Sequence, residues 1–236
     1  MQTTRYLIVG GGLTADAACK GIRELDPDGR VLLVTEEPHP PYSRPPLSKG
    51  LWRGKEESTI WRGTEALGVD VRPGRRIVAL DLERRLATDE RGDEHGYEKL
   101  LLATGGRPRR LPFGGEDVLA FRTLDDYRRL RELAEGGARC VVVGGGFIGS
   151  EVAAALALQG CPVTLAFPEQ GIGARVFPLE LSLALVDYYR TRGVEVLPGA
   201  SVTGIEPGRV LLGDGRVLPA DVVVAGIGIE PAVDML

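Results

Sequence analysis

Two stretches of the chain share one order of apolar and polar positions. Arg5-Tyr6-Leu7-Ile8-Val9 is a short apolar run that ends in Gly10-Gly11-Gly12, and small and apolar residues then recur through Leu25. Asp26-Pro27-Asp28-Gly29 breaks that pattern, and Val31-Leu32-Leu33-Val34 is a second apolar run. This order predicts a buried strand, a helix with Ala17, Ala18, Ile22 and Leu25 on its inner face, and a second buried strand. Residues 139–143, the Gly144-Gly145-Gly146 turn, a helix to Gly160 and a strand over Val163–Phe167 repeat it. Runs that are apolar throughout, without alternation, belong to strands covered on both faces.

Between the repeats the pattern changes character. Pro38 to Lys49 holds five prolines in twelve residues, which excludes an ordinary helix or a central strand. Residues 53–74 are polar and weakly patterned, and Trp52 and Trp61 are expected to pack this region down. Ile77–Leu80, Leu86–Thr88 and the run from Tyr97 into Ala103 predict a three-stranded antiparallel insertion that returns to the first sheet. Arg107-Pro108-Arg109-Arg110-Leu111-Pro112 is rich in proline and charge and marks a boundary. Thr123 and Asp126 stand at capping-box spacing ahead of a helix with Tyr127, Leu130 and Leu133 on its apolar face. A further helix is expected over 178–192, with Leu179, Leu181, Leu183, Leu185, Val186 and Tyr189 as its apolar positions. Short strands follow, turned at Gly213-Asp214-Gly215 and closed by Asp221–Ala225.

The chemistry lies in the two glycine turns. Gly144-x-Gly146-x-x-Gly149 sits between strand and helix: the first glycine allows the turn, the second lets backbone approach a pyrophosphate, and the third lets helix pack on strand. The helix N-terminus then directs free N–H groups and a partial positive charge at the anion. Gly10, Gly12 and Ala15, with Leu13 and Thr14 between, form the other copy, in which alanine fills the third slot. Glu36, with Glu37 beside it, follows Gly10 by 26 positions, where an acidic side chain meets a ribose diol; a solvated strand-end glutamate is the alternative. Glu169 follows Gly144 by 25 positions, and its carboxylate would repel a 2′-phosphate, so NADH is favoured over NADPH, although Arg175 nearby blurs the discrimination. The expected fold is therefore α/β: two Rossmann-like, three-layer ββα nucleotide-binding domains at 1–112 and 113–236, the first with a small antiparallel β insertion.

Composition narrows the remaining classes. A formal net charge of −4 gives no electrostatic case for nucleic acid or an anionic membrane, and no apolar run approaches the roughly 20 residues of a membrane span. Only Lys20, Lys49, Lys55 and Lys99 among the 29 basic residues are lysines. Cys19, Cys140 and Cys161 stand alone in apolar surroundings without redox spacing, which predicts buried thiols and a reduced, cytoplasmic setting. No metal is expected.

With these residues in view, the chain resembles the FAD- and NAD(P)H-dependent pyridine nucleotide oxidoreductases, in the branch of ferredoxin and rubredoxin reductases, apoptosis-inducing factor and monodehydroascorbate reductase. The resemblance rests on Gly10 to Ala15, Pro41-Tyr42-Ser43-Arg44-Pro45-Pro46-Leu47-Ser48-Lys49, Ala103-Thr104-Gly105-Gly106, Gly144 to Glu151, Phe167-Pro168-Glu169 and Gly226 to Pro231. It implies that Gly10, Gly12 and Ala15 hold the FAD pyrophosphate and Glu36 its ribose. It further implies that Arg44 and Arg122 contact FAD phosphate or ribose, that the Val78 backbone meets adenine, and that Ala103, Thr104 and Gly105 border the cofactor. Lys49 would approach the flavin N5 edge and pair with Glu151, while Phe147 would lie over the flavin face. Gly144, Gly146, Ile148, Gly149, Glu169 and Arg175 would hold NADH, with Gly228 at its nicotinamide end.

A cation near N5 suits the charge that flavin reduction adds, and a carboxylate partner keeps that cation from being buried alone. For Glu151 the plain alternative is a favourable acidic residue in a helix's first turn, and for Phe147 it is core filling. Related disulfide reductases carry cysteine near Ser43, so serine there argues against thiol chemistry at the flavin. The resemblance also implies a later segment with a Gly-Asp motif that completes the flavin domain, then an interface domain; residues to Leu236 contain neither, and the flavin sheet is expected to be short of a strand. The activity implied is hydride transfer from NADH to FAD and electron transfer to a ferredoxin- or rubredoxin-like protein or a small organic acceptor, and a homodimer is compatible with it. A redox-linked binding module like apoptosis-inducing factor and an NADH-binding remnant without activity are the alternatives.

Overall fold

The computed structural model describes residues 3–235; positions 1, 2 and 236, at the outer ends of the two predicted domain ranges, lie outside the described residues. The chain forms two compact units: one comprises the residues up to Ser43, Glu57–Gly106 and those from Pro231 on, and the other Arg44–Glu56 and Arg107–Glu230.

In the first unit β1 (Thr3–Val9), β2 (Val31–Val34) and β3 (Asp70–Arg72) run parallel, with α1 (Leu13–Leu25) crossing between the first two. The antiparallel meander of β4 (Ile77–Asp81), β5 (Leu86–Asp89) and β6 (Glu94–Leu102) joins the same sheet, because β6 pairs in parallel with β1. The six strands lie in the order β3-β2-β1-β6-β5-β4. Leu7, Ile8, Leu33 and Val34 are sealed from solvent, as uninterrupted apolar runs require. Ile8, Val31 and Leu33 share one cluster with Ala15 and Cys19 of α1, and Leu7, Val9 and Val34 share another with Ile77, Ala87 and Tyr97. β3 was not expected: three residues with a charge at each end carry no periodic signal.

The inner face of α1 differs from the expected one. Ala15, Asp16 and Cys19 are buried, Ala18 and Ile22 partly so, while Ala17 is exposed and Leu25 is 90% exposed. Close packing of Ala15 beneath the glycine turn and capture of the Asp16 carboxylate by Lys20, Arg62 and Thr64 fix the helix rotation. Hydrophobicity alone does not.

In the second unit, β7 (Gly106–Pro108) pairs only with the last short strand; it is followed by β8 (Val118–Ala120), α2 (Leu124–Glu135), β9 (Cys140–Val143), α3 (Phe147–Leu158), β10 (Val163–Phe167), α4 (Leu179–Thr191) and β11 (Val194–Pro198). Three antiparallel strands, β12 (Val202–Glu206), β13 (Arg209–Leu212) and β14 (Val217–Pro219), precede β15 (Val222–Ala225) and the short β16 (Ile229–Pro231). The main sheet is wholly parallel in the order β11-β10-β9-β15-β8. Val141, Val143, Ala166 and Val223 pack against Val210 and Leu212 of the antiparallel layer. The two Rossmann-like units and the antiparallel insertion of the first are as expected.

Three local findings refine the picture. The capping box forms, with Asp126 N donating to Thr123 Oγ1 at 3.1 Å and Thr123 N to the Asp126 carboxylate at 2.7 Å, though Leu133 stays on the rim at 36% exposure. In α4 the buried residues are Ser182 and Val186, while Leu179, Leu181 and Leu183 are exposed. The Gly171 backbone comes so close that a Cβ there would lie 2.7 Å from Ser182, and this crowding turns a serine inward and the leucines out. Finally, all three cysteines are buried; the Cys140 thiol donates to Ala138 O and the Cys161 thiol to Ala134 O, each at 3.4 Å. Burial pushes Cys140 up to about 12 and Cys19 up to about 11, which leaves both as unreactive thiols.

A single cut at 112/113 does not describe these units. The stretch 44–56 packs within the second, and residues from Pro231 on pack within the first. Trp52 accounts for the former: its Nε1 donates to Leu47 O at 2.6 Å, its carbonyl accepts from Gln159 Nε2 at 3.0 Å, and its ring stands edge-on to Tyr127 at 5.5 Å. Among the described residues no helix is long and apolar enough to cross a membrane.

Candidate dinucleotide and flavin site

The second glycine turn is packed backbone to backbone. Gly144 has a φ of +115°, and a Cβ on it would lie 2.5 Å from the Gly226 carbonyl oxygen. A Cβ on Gly149 would lie 1.9 Å from the Gly144 carbonyl oxygen, and one on Gly226 would lie 2.7 Å from the Gly149 backbone. Gly146 is the reverse: nothing stands within 4 Å of its Cβ position, its backbone is extended, and no side chain caps the helix it starts. The first N–H groups of α3 therefore face open space that a side chain would fill, which is the cradle a pyrophosphate needs.

The first turn is built alike. Gly10 has a φ of +116° and would press a Cβ to 2.2 Å from Ala103 O, while Gly12 is open and α1 begins without a side-chain cap. Ala15 is fully buried, and Leu13 and Thr14 are exposed on the first turn of α1. Glu36 is exposed just past β2, and Glu37 accepts a hydrogen bond from Tyr42 Oη. Val78 is 47% exposed on β4. The Ala103-Thr104-Gly105 turn is pinned by Ala232, whose O accepts from Thr104 Oγ1 at 2.7 Å and whose N donates to Gly105 O at 3.1 Å.

In the second unit one cleft of about 680 Å³ gathers most of the remaining predicted residues. Gly144, Gly146, Phe147, Ile148, Glu151, Glu169, Arg175 and Gly228 line it, together with Arg44, Lys49 and Arg122 from two distant parts of the chain. Gly149 does not line it; its place is behind the turn, in the close contact already described. Lys49 Nζ lies 2.5 Å from Glu151 Oε2. Ser48 Oγ donates to the same oxygen at 2.6 Å, a contact the sequence did not disclose. Glu169 Oε1 is held by Arg175 through Nη2 at 2.6 Å and Nε at 2.8 Å. Arg44 Nη1 reaches Arg122 O at 3.4 Å. Phe147 is 58% exposed and meets Phe177 edge to face at 5.8 Å, so it does not fill the core.

Near the cleft, Tyr189 donates to Ser150 O at 3.1 Å, and burial pushes its phenol up, keeping it neutral beside Glu151. Among the described residues all three cysteines are buried, and none lines the cleft. Besides Ser48, sequence reasoning missed Phe121 and Gly226 as cleft walls and, in the loop around the predicted Arg175, also Gly171, Gly173, Ala174 and Val176. Only Gly171 and Gly173 hinted at close approaches in that loop, and Gly173 N does bond Gly145 O at 2.7 Å.

Parallel strands at the heart of the sheet in each unit, with a glycine turn opening onto an uncapped helix, define the class of α/β proteins that take dinucleotides. Residues 4–236 match the pyridine nucleotide-disulphide oxidoreductase family, and the chain belongs to it. It is 34% identical to monodehydroascorbate reductase 4, peroxisomal, of Arabidopsis thaliana, over 96% of this chain and 52% of that protein. It is also 34% identical to the ferredoxin–NAD(+) reductase component of the p-cumate 2,3-dioxygenase system of Pseudomonas putida, over 98% of this chain and 60% of the relative. A crystal structure of the covalent putidaredoxin reductase–putidaredoxin complex superposes with a TM-score of 0.92 at 31% identity, over 98% of this chain and 60% of that one. The chain thus spans about half to three fifths of these relatives' length.

Proposed function

We propose that this chain acts as an NADH-dependent flavoprotein reductase that delivers electrons to a small iron–sulfur protein or another one-electron acceptor. The observation that carries the reading is the Lys49–Glu151 pair, set in the same cleft as the open α3 N-terminus and away from any thiol. Relatives named as ferredoxin and monodehydroascorbate reductases support it.

FAD, when bound, supplies the step from a two-electron donor to a one-electron acceptor. The chain's own residues bind and orient. In the first unit Gly10, Gly12 and Ala15, with the N–H groups at Leu13 and Thr14, would hold the FAD pyrophosphate. Glu36 or Glu37 would accept from its ribose, the Val78 backbone would meet the adenine, and Ala103, Thr104 and Gly105 would border the cofactor. The open space at Gly12 fits this role, since a Cβ would occupy it. Arg44 and Arg122 would offset the phosphate charge. In the second unit Gly144, Gly146 and the α3 N–H groups at Phe147 and Ile148 would take the NADH pyrophosphate, with Gly149 holding the turn closed. Glu169 would accept from the adenosine ribose and repel a 2′-phosphate; its pairing with Arg175 moderates that preference and leaves NADPH as a poorer substrate. Gly228 would line the nicotinamide end and Phe147 cover the ring.

Lys49 places a positive charge where reduction gathers negative charge, and Glu151 keeps that cation partnered when water is excluded. Free, buried cysteines agree with a reducing, cytoplasmic setting. The test is anaerobic: NADH added to flavin-loaded protein should bleach the yellow flavin band, and Lys49→Ala should slow the bleaching by about tenfold or more. Flavin-loaded protein that stays yellow would remove the reductase reading, and an unchanged rate in the variant would remove Lys49 from it.

A further inference from the structure

We infer that Ser48 is a positioning residue for the Lys49–Glu151 pair, an inference that rests on the reductase reading above. Ser48 is 7% exposed and ends the turn of 3-10 helix at Pro45–Ser48, whose two prolines fix the backbone before it. Its Oγ lies 2.6 Å from Glu151 Oε2, and Lys49 Nζ lies 2.5 Å from the same oxygen. A hydroxyl has one proton to give. The other acceptor in reach, Pro45 O, is 3.5 Å away, so the proton goes to the carboxylate.

The three groups differ in freedom. The Lys49 side chain is 53% exposed on a flexible four-carbon stem, and an ion pair of that exposure does not by itself fix two long side chains. Glu151 is 25% exposed and carries its carboxylate on two methylenes. Ser48 is short, buried and carried on a rigid turn, so it is the element that sets where Oε2 stands. Oε2 in turn sets where the ammonium stands. Ser48 therefore acts through Glu151, orienting Lys49 without itself meeting the reacting atoms.

Ser48→Ala removes the proton donor with little change of volume, and Ser48→Thr restores it. In flavin-free protein labelled with ¹⁵N-lysine, the Lys49 ammonium signal should be visible in the natural chain and in S48T and broadened away in S48A. In flavin-loaded protein S48A should slow NADH-driven bleaching about tenfold, the loss expected of one hydrogen bond to a charged group, with NADH affinity within about twofold of the natural chain, and S48T should recover the rate. A Lys49 signal that survives unchanged in S48A overturns the inference. So does an S48A bleaching rate equal to the natural one while Lys49→Ala is slow, an outcome that leaves the reductase reading intact. If Lys49→Ala bleaches at the natural rate, the reductase role of the pair falls, and the ammonium signal still decides whether Ser48 holds it. Should S48A fail to fold, Ser48→Cys, with its weak donor, takes its place in both measurements and should give the same two losses.

Discussion

The third slot of the glycine turn holds Ala15 in the first unit and Gly149 in the second. Ala15 is fully buried yet accommodated, whereas a methyl group on Gly149 would stand 1.9 Å from the Gly144 carbonyl oxygen. The next position differs more. Asp16 is buried and binds Lys20 Nζ, Arg62 Nε and Thr64 Oγ1, each at 2.9 Å, which ties α1 to the 62–64 segment. The side chain of its counterpart Ser150 makes a local bond to Phe147 O at 3.0 Å, and its backbone carbonyl accepts from Tyr189 Oη at 3.1 Å. One position on, Ala17 is exposed and inert, whereas Glu151 gathers Ser48 and Lys49 into the cleft. The first helix uses its polar group to hold the fold, and the second uses its polar group in the site. A shared fingerprint therefore fixes the phosphate cradle and leaves the helix behind it open to different uses.

The comparison can be broken by substitutions at matched positions. The largest effect is expected at the third slot. Gly149→Ala should destabilise the second unit by about 3 kcal/mol or more through backbone overpacking, while Ala15→Gly should cost only about 1 kcal/mol; calorimetry on both reads the asymmetry. Equal losses would mean that the two turns are packed alike.

A smaller loss is expected at Asp16. Burial pushes its carboxyl up, but the hydrogen bonds from Lys20, Thr64 and Arg62 outweigh burial and hold it below the usual carboxylate range. The folded state thus binds its proton more weakly than the unfolded chain does. Stability from this group is present above about pH 4, the unfolded value, and is lost as pH falls through the lower folded value. Asp16→Asn should cost about 2 kcal/mol at neutral pH, and the gap from the natural chain should narrow below about pH 4 in urea titrations. Ser150→Ala should show no such acid dependence. A gap for Asp16→Asn that stays constant with pH would remove the network from the account.

The smallest change in stability is expected at the open slots. A Cβ on Gly12 or on Gly146 would meet nothing within 4 Å, so Gly12→Val and Gly146→Val should each leave stability within about 0.5 kcal/mol. Yet Gly146→Val should weaken NADH binding by about tenfold or more, because the added branches would occupy the place proposed for the pyrophosphate. Calorimetric titration with NADH checks it, and undiminished affinity would show that the dinucleotide does not lie over α3.

Much of this was legible beforehand. The two strand–turn–helix repeats, the meander from Ile77 to Ala103 and the Thr123 capping box are written in local pattern, and each formed within a residue or two of its expected place, save that β6 begins three residues early, at Glu94. The faces of α1 and α4 were not, because Asp16 and Ser182 are drawn inward by contacts with Arg62, Thr64 and Gly171 that no helical periodicity records. Three-residue strands such as β3 and β8 carry too few positions for a period to show.

The sequence by itself determined the nucleotide-binding architecture of this chain, because a glycine turn between a buried strand and a helix is a local device whose parts lie within a few residues of one another. Only the tertiary structure decided that the proline-rich stretch packs with the second unit, through Trp52, and that Ser48 and Lys49 converge on one oxygen of Glu151 across more than 100 positions of chain. Contacts at that separation leave no mark on local pattern. They exist only once the two packed surfaces that carry them have met.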